Sequence, residues 1–186
     1  MNDRIALLDK LYLIPGIILE QDKFYTLKSG KKSKYYFDFR KAISHSFIFS
    51  DICSELFVAA ESFGLRKYYI AGIPLGGIPY ATGASIASGG VIPLLLIRDK
   101  LKIGYGSGKS SYIEGDYDGK SPIVLIEDVI TTGSSTLEVI KHLVKVEEIP
   151  GDKIFVVSIL DRSNGVNRLT ERGISYTSIF KEEDFF

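Results

Sequence analysis

Two adjacent carboxylates, Glu127 and Asp128, follow the apolar run 123–126 and precede Val129-Ile130-Thr131-Thr132-Gly133-Ser134-Ser135. These residue types in this order have a definite chemistry. A hydroxyl-rich glycine turn that opens a helix offers unpaired backbone N–H groups and the positive end of a helix dipole, which together cradle phosphate. Thr and Ser hydroxyls add donors. Carboxylates beside such a cradle repel the phosphate unless they serve another part of the ligand. Ribose hydroxyls, met directly or through a magnesium ion, answer that need. A plainer alternative stays open on chemistry alone: a strand that ends in two solvated acids and a Ser/Thr helix cap.

Four further segments carry chemistry. Gly72-Ile73-Pro74-Leu75-Gly76-Gly77 follows an apolar run, and small residues there let backbone N–H groups approach a pyrophosphate. It lacks the G-x-G-x-x-G spacing of a dinucleotide site. Residues 98–115 combine many glycines with Arg98, Lys100, Lys102 and Lys109. A basic loop of that length could close over pyrophosphate and exclude water, or be a solvated loop. Gly108-Lys109-Ser110 imitates the end of a P-loop, but Ile103 stands where the first glycine belongs, so that reading fails. Residues 24–40 hold lysines around a Ser-Gly turn and then Tyr35, Tyr36 and Phe37, whose rings could stack on a flat heterocycle or simply form the buried face of a hairpin. Asp161-Arg162 ends another apolar run, where the guanidinium could grip a carboxylate or make a structural ion pair.

The elements that must position these groups alternate. Helices are expected over 3–14, 46–63 starting near a Ser cap, 78–88 and 134–146; strands are expected over 67–73, 91–97, 123–126, 154–160 and 174–180. Strands separated by helices imply a mostly parallel five-stranded α/β sheet flanked by helices, which binds ligands at the C-terminal strand ends. Two short strands around Ser29-Gly30 precede it. The organisation expected is an N-terminal helix and hood over 1–45 and an α/β core over 46–186, compact as one domain.

Composition narrows the classes. The 186 residues carry 23 basic and 23 acidic side chains, net charge zero, which disfavours a protein built to coat nucleic acid. Cys53 is the only cysteine, so no internal disulfide and no cysteine-based zinc site can form; His45 and His142 show no metal spacing. The charged start does not resemble a signal peptide, and apolar runs such as 91–97 are too short to span a bilayer. The expectation is a cytoplasmic protein without a membrane or nucleic-acid partner.

The run VLIEDVITTGSS closely resembles the phosphoribosyl pyrophosphate (PRPP) motif of type I phosphoribosyltransferases, and its EDVITTG form is especially similar to orotate phosphoribosyltransferases. TLKSG-K-KS-x-YYFDFR is similar to the substrate hood of that family, which relatives acting on other bases generally lack. Residues 98–115 resemble its catalytic loop through Arg98, Lys102, Tyr105-Gly106 and Ile113-Glu114-Gly115. There are two departures: Asp99 stands where lysine is usual, with Lys100 as the substitute, and one extra residue separates Lys102 from Tyr105. The similarity covers roughly residues 20–165.

The resemblance implies a type I phosphoribosyltransferase fold and transfer of phosphoribosyl from PRPP to orotate in pyrimidine biosynthesis. It assigns Lys102 and Asp128 to catalysis. PRPP contacts would be Lys28, Leu75, Gly76, Arg98, Asp99, Lys100, Lys102, Tyr105, Glu127, Asp128, Val129, Ile130, Thr131, Thr132, Gly133, Ser134 and Ser135. Tyr36, Phe37, Thr131 and Arg162 would face orotate. Magnesium would be held mainly through PRPP, without a dedicated protein site. The partners implied are a second copy of the chain, sharing the 98–115 loop across subunits, and a separate orotidine monophosphate decarboxylase. A transferase for another base and a PRPP-sensing regulator on the same fold are the alternatives.

Overall fold

Ile123, Val124, Leu125 and Ile126 are all fully buried, as a strand covered on both faces requires. The computed structural model describes residues 2–26, 32–102, 111–163 and 167–186. Its helices are α1 (Asn2–Tyr12), α2 (Ser46–Glu61), α3 (Gly77–Ala87) and α4 (Ser134–Val146). Its strands are β1 (Ile18–Thr26), β2 (Lys32–Phe37), β3 (Tyr69–Gly72), β4 (Leu94–Lys102), β5 (Ser111–Glu114), β6 (Ile123–Ile130), β7 (Ile154–Asp161) and β8 (Ser175–Lys181). The central sheet has the order β5-β4-β3-β6-β7-β8, and only the β4–β5 pair is antiparallel. This is a mostly parallel sheet flanked by helices, the architecture that the resemblance implies.

Alternate residues of β6 supply two separate apolar layers. Val124 and Ile126 join Tyr80 of α3 and Leu56 of α2 on one face. Ile123 and Leu125 join Leu137, Ile140 and Leu143 of α4 on the other. Leu7, Leu11, Ile14 and Ile17 extend the first layer, so α1 is sealed onto the sheet by the same burial.

The five expected strands form the parallel part of the sheet, but a sixth strand and several boundaries differ. Part of 98–115 is strand: β4 continues through Lys102, and β5 returns beside it with Leu96 opposite Glu114 and Ile97 opposite Ile113. This extension is held by edge pairing of backbone while residues 98–102 face solvent, so no apolar period announces it. β6 likewise runs past 126 to Ile130, because Glu127 pairs with Ser158 and Val129 with Leu160 on β7. The acid pair therefore lies inside the strand. α2 opens at Ser46 with His45 before it and no side-chain cap bond, so the expected serine cap is absent there.

β1 and β2 form their own antiparallel sheet. The Ser29-Gly30 turn expected between them lies outside the described residues. The hood is anchored by side chains: Tyr35 stacks on Phe186 at 3.9 Å, and Phe37 meets Phe185 edge-on at 5.0 Å. Behind β2, the buried Tyr80 hydroxyl donates to the Phe39 carbonyl at 2.5 Å.

Candidate active site

Residues 129–135, with Glu138, line a cavity of about 240 Å³ at the C-terminal end of β6. Gly133 precedes α4 at φ 71°, the left-handed region that glycine enters without strain. Ser134 and Ser135 of the first helical turn line the cavity, and the Ser134 N–H donates to Thr132 Oγ1 at 3.4 Å. Thr132 Oγ1 and Ser134 Oγ lie 2.8 Å apart across its mouth. The Thr132 carbonyl is tied to the Arg168 N–H at 3.1 Å, so the turn is braced from behind.

Successive strand residues point to opposite faces, and the acid pair obeys this rule. Glu127 turns toward α4, where the Ser135 hydroxyl approaches its Oε1 at 3.5 Å. Asp128 turns toward α3, beside Gly76, where a β-carbon would come within 2.5 Å of Asp128 Oδ2. Burial pushes the Asp128 carboxyl above its ordinary value; the Val129 N–H, at 2.8 Å from Oδ1, and the Arg40 charge pull it back, and Asp38 raises it again.

Gly76 and Gly77 are small for a reason beyond ligand approach. A β-carbon on Gly77 would strike the Ile126 carbonyl at 2.0 Å, so 72–77 is pressed against β6 itself. The Pro74–Leu75 peptide is cis. Leu75 is exposed, and with Pro74, Ile78, Ile97, Arg98 and Asp99 it borders a groove of about 540 Å³. Arg98 and Lys102 both turn to Glu114 on β5: Arg98 Nη1 and Lys102 Nζ each donate to its Oε1 at 2.9 Å. The bonded Lys102 ammonium, with Arg98 adding, holds the Glu114 carboxyl below its ordinary range. Lys100 is exposed, while Lys28 and Tyr105 lie outside the described residues.

At the hood end, Tyr36 and Phe37 part company, as neighbours on a strand must. Tyr36 is partly open and its hydroxyl accepts from Arg40 Nη2 at 3.1 Å. Phe37 is buried under the Arg162 guanidinium, 4.9 Å from its ring centroid. Arg162 is itself buried and donates to Glu182, Ser33 and the Tyr35 carbonyl, while its backbone N–H joins the Ile130 carbonyl at 2.8 Å. The structure thus gathers 127–135, Gly76 and, through Ile130, Arg162 around one strand end; Arg98 and Lys102 stand apart on the β4–β5 edge.

Asp38, Arg40 and Glu182 are charged groups of this region that the sequence reading did not single out. Arg40 donates to Asp38 Oδ1 at 2.7 Å. The FDFR string held the only local sign of the first two; nothing around Glu182 marks it.

No family model matches the chain. Its structure resembles orotate phosphoribosyltransferase from Mycobacterium tuberculosis, with TM-score 0.73 and 25% identity over 98% of both chains. It also resembles the enzyme from Aeropyrum pernix, with TM-score 0.72 and 25% identity, covering 96% of this chain and 95% of that one. Fold, acid pair and phosphate turn together define a type I phosphoribosyltransferase. The orotate phosphoribosyltransferase of Methanothermobacter thermautotrophicus is 36% identical over 171 residues, 90% of this chain and 87% of that protein. That of Methanosarcina acetivorans is 36% identical over 141 residues, 76% of this chain and 70% of that protein. The chain belongs to the orotate phosphoribosyltransferase family and is a pentosyl-transferring enzyme of pyrimidine biosynthesis.

Proposed function

We propose that the chain joins orotate to the phosphoribosyl group of PRPP, giving orotidine 5'-monophosphate and pyrophosphate, through the residues gathered at the end of β6. One observation carries the assignment of roles: the acid pair sits on opposite faces of β6, immediately before a phosphate cradle braced from behind. Residues 131–135 hold the 5-phosphate, and Glu127 and Asp128 reach the ribose hydroxyls from two sides. Thr131, Tyr36 and Arg162 bound the place of the base, with Phe37 as the packed floor beneath Arg162.

Among the described residues no group of three or more His, Cys, Asp or Glu could hold a metal ion. A carboxylate beside a phosphate cradle suits magnesium, which favours one or two carboxylates together with ligand phosphates; as Glu127 and Asp128 turn to opposite faces, one of them would supply a ligand and PRPP the rest. Bound there with PRPP, magnesium would offset charge on the pyrophosphate. The chain's own residues do the rest. The bond from ribose C1 to pyrophosphate oxygen breaks, its electron pair leaves with pyrophosphate, and a ring nitrogen of orotate gives up its proton and forms the new bond to C1. The departing pyrophosphate can take that proton, so no strong base from the chain is needed. Lys102 and Arg98 leave Glu114 and meet the departing pyrophosphate, the largest change of charge in the reaction.

The enzyme works as a cytoplasmic homodimer in which residues 98–115 serve the neighbouring site, and an orotidine monophosphate decarboxylase activity consumes the product. The decisive experiment follows orotate absorbance with PRPP and magnesium, beside uracil and a purine. Loss of orotate with orotidine monophosphate formed is expected. PRPP binding without reaction of any base would point to a sensor instead.

A further inference from the structure

Arg162 is the one buried cation among the described residues, and a buried guanidinium needs a counter-charge. Glu182 supplies it from the turn that follows β8. Its Oε1 accepts from Nε at 3.0 Å and from Nη2 at 2.5 Å. These two nitrogens form one edge of the guanidinium fork. Nη2 also donates to Ser33 Oγ at 2.9 Å and to the Tyr35 carbonyl at 3.1 Å, which engages its second hydrogen. Nη1 has no hydrogen bond among the described residues. The Phe37 ring closes one face of the group.

The turn that carries Glu182 is itself fastened. The Lys181 N–H donates to Asp184 Oδ2 at 2.7 Å, the Tyr12 hydroxyl donates to the Phe185 carbonyl, and Phe186 stacks on Tyr35. Glu182 therefore comes to Arg162 from a braced position and fixes which edge of the fork stays open.

We infer that Glu182 is a positioning residue that fixes the acceptor specificity of this site: it turns Arg162 so that Nη1 is the donor left for the carboxylate of an acidic base. This rests on the proposed function, in which Arg162 meets orotate. Glu182 touches neither substrate.

The test is steady-state kinetics of the full-length protein, with KM for orotate and PRPP separated from kcat and uracil as the neutral acceptor. The unaltered enzyme is measured first: if it does not consume orotate, the functional reading falls, and this inference with it. If it does, Glu182→Ala should raise KM for orotate about tenfold or more, leave KM for PRPP within about twofold, and narrow the preference for orotate over uracil. Glu182→Gln keeps an acceptor oxygen for Nε and should recover most of that loss. If the alanine variant does not fold, Glu182→Asp decides, because it keeps the charge but draws it back by one methylene, and the same selective rise in KM is expected. An unchanged orotate KM in the folded variant, or equal loss for both substrates and both bases, would overturn the inference and leave Glu182 a packing residue.

Discussion

Asp128 is caught between burial, which favours its neutral form, and the work proposed for it, which needs the charge. Its carboxyl titrates above the ordinary 3.8, so PRPP-dependent turnover should fall on acidification before that value is reached. Arg40 opposes the shift, so Arg40→Ala should move the acid limb of the pH–rate profile to higher pH; an unmoved limb would remove Arg40 from the electrostatics of the site. The stability consequence has the opposite sign. A carboxyl raised in the folded state contributes most below its unfolded pKa and loses that contribution as pH rises through the folded one. At neutral pH Asp128→Asn should therefore melt at a higher temperature while losing turnover, which a thermal melt beside an activity assay can check. Lys102→Ala separates the two properties differently. Its ion pair with Glu114 is exposed and adds little stability, so the melting temperature should hardly move while kcat falls by about two orders of magnitude or more. Unchanged kcat would end the assigned role. The site was legible at this scale wherever neighbours in sequence are neighbours in space, as in 127–135. Glu182 escaped because its partner Arg162 belongs to another element, and Asp38 and Arg40 escaped because, though they bond to each other, they bear on the site only across space, through Asp128.

The strands and helices were legible where burial imposes a period. The α4 segment reads directly from its sequence, and the apolar runs of β3, β6 and β7 mark buried parallel strands. β5 and the outer half of β4 could not be read that way, since edge pairing satisfies backbone groups without selecting apolar side chains. The contact of α2 with α3 also leaves only a faint trace, one glycine. A β-carbon on Gly83 would lie 2.1 Å from the Cys53 sulfur and 3.3 Å from Phe49 Cζ. Gly83→Ala should cost about 1–3 kcal/mol in denaturant unfolding, and adding Cys53→Ala should return part of it. Full independence of the two changes would mean the helices part freely. Cys53 itself is pushed up to about 12 by burial, so it should resist alkylation at neutral pH until the protein unfolds.

At the scale of the whole molecule, the acid pair and the lysine assigned to the reaction sit on different strands: β6 at the centre of the sheet and β4 near its edge. If 98–115 crosses to a neighbouring subunit, mixing inactive Lys102→Ala with inactive Asp128→Asn should restore part of the activity, because some mixed dimers hold one intact site. No recovery after verified subunit exchange would place both groups in the same chain. Fold class was readable from the alternation of strand and helix, and the hood from its similarity to a known family. How the hood is fixed was not readable, because its anchors are aromatic contacts with the chain's last residues.

Among the described residues, the hood's two strands share no backbone ladder with the six-stranded sheet. β6 is paired on both sides and covered on both faces. In deuterated water the two should behave as separate clocks: amides of β6 exchange only when the whole molecule opens, whereas those of β1 and β2 exchange whenever the aromatic anchors let go. A ligand that touches both sheets would slow the faster clock without touching the slower one, so substrate binding would leave its record in the part of the chain that the core does not hold.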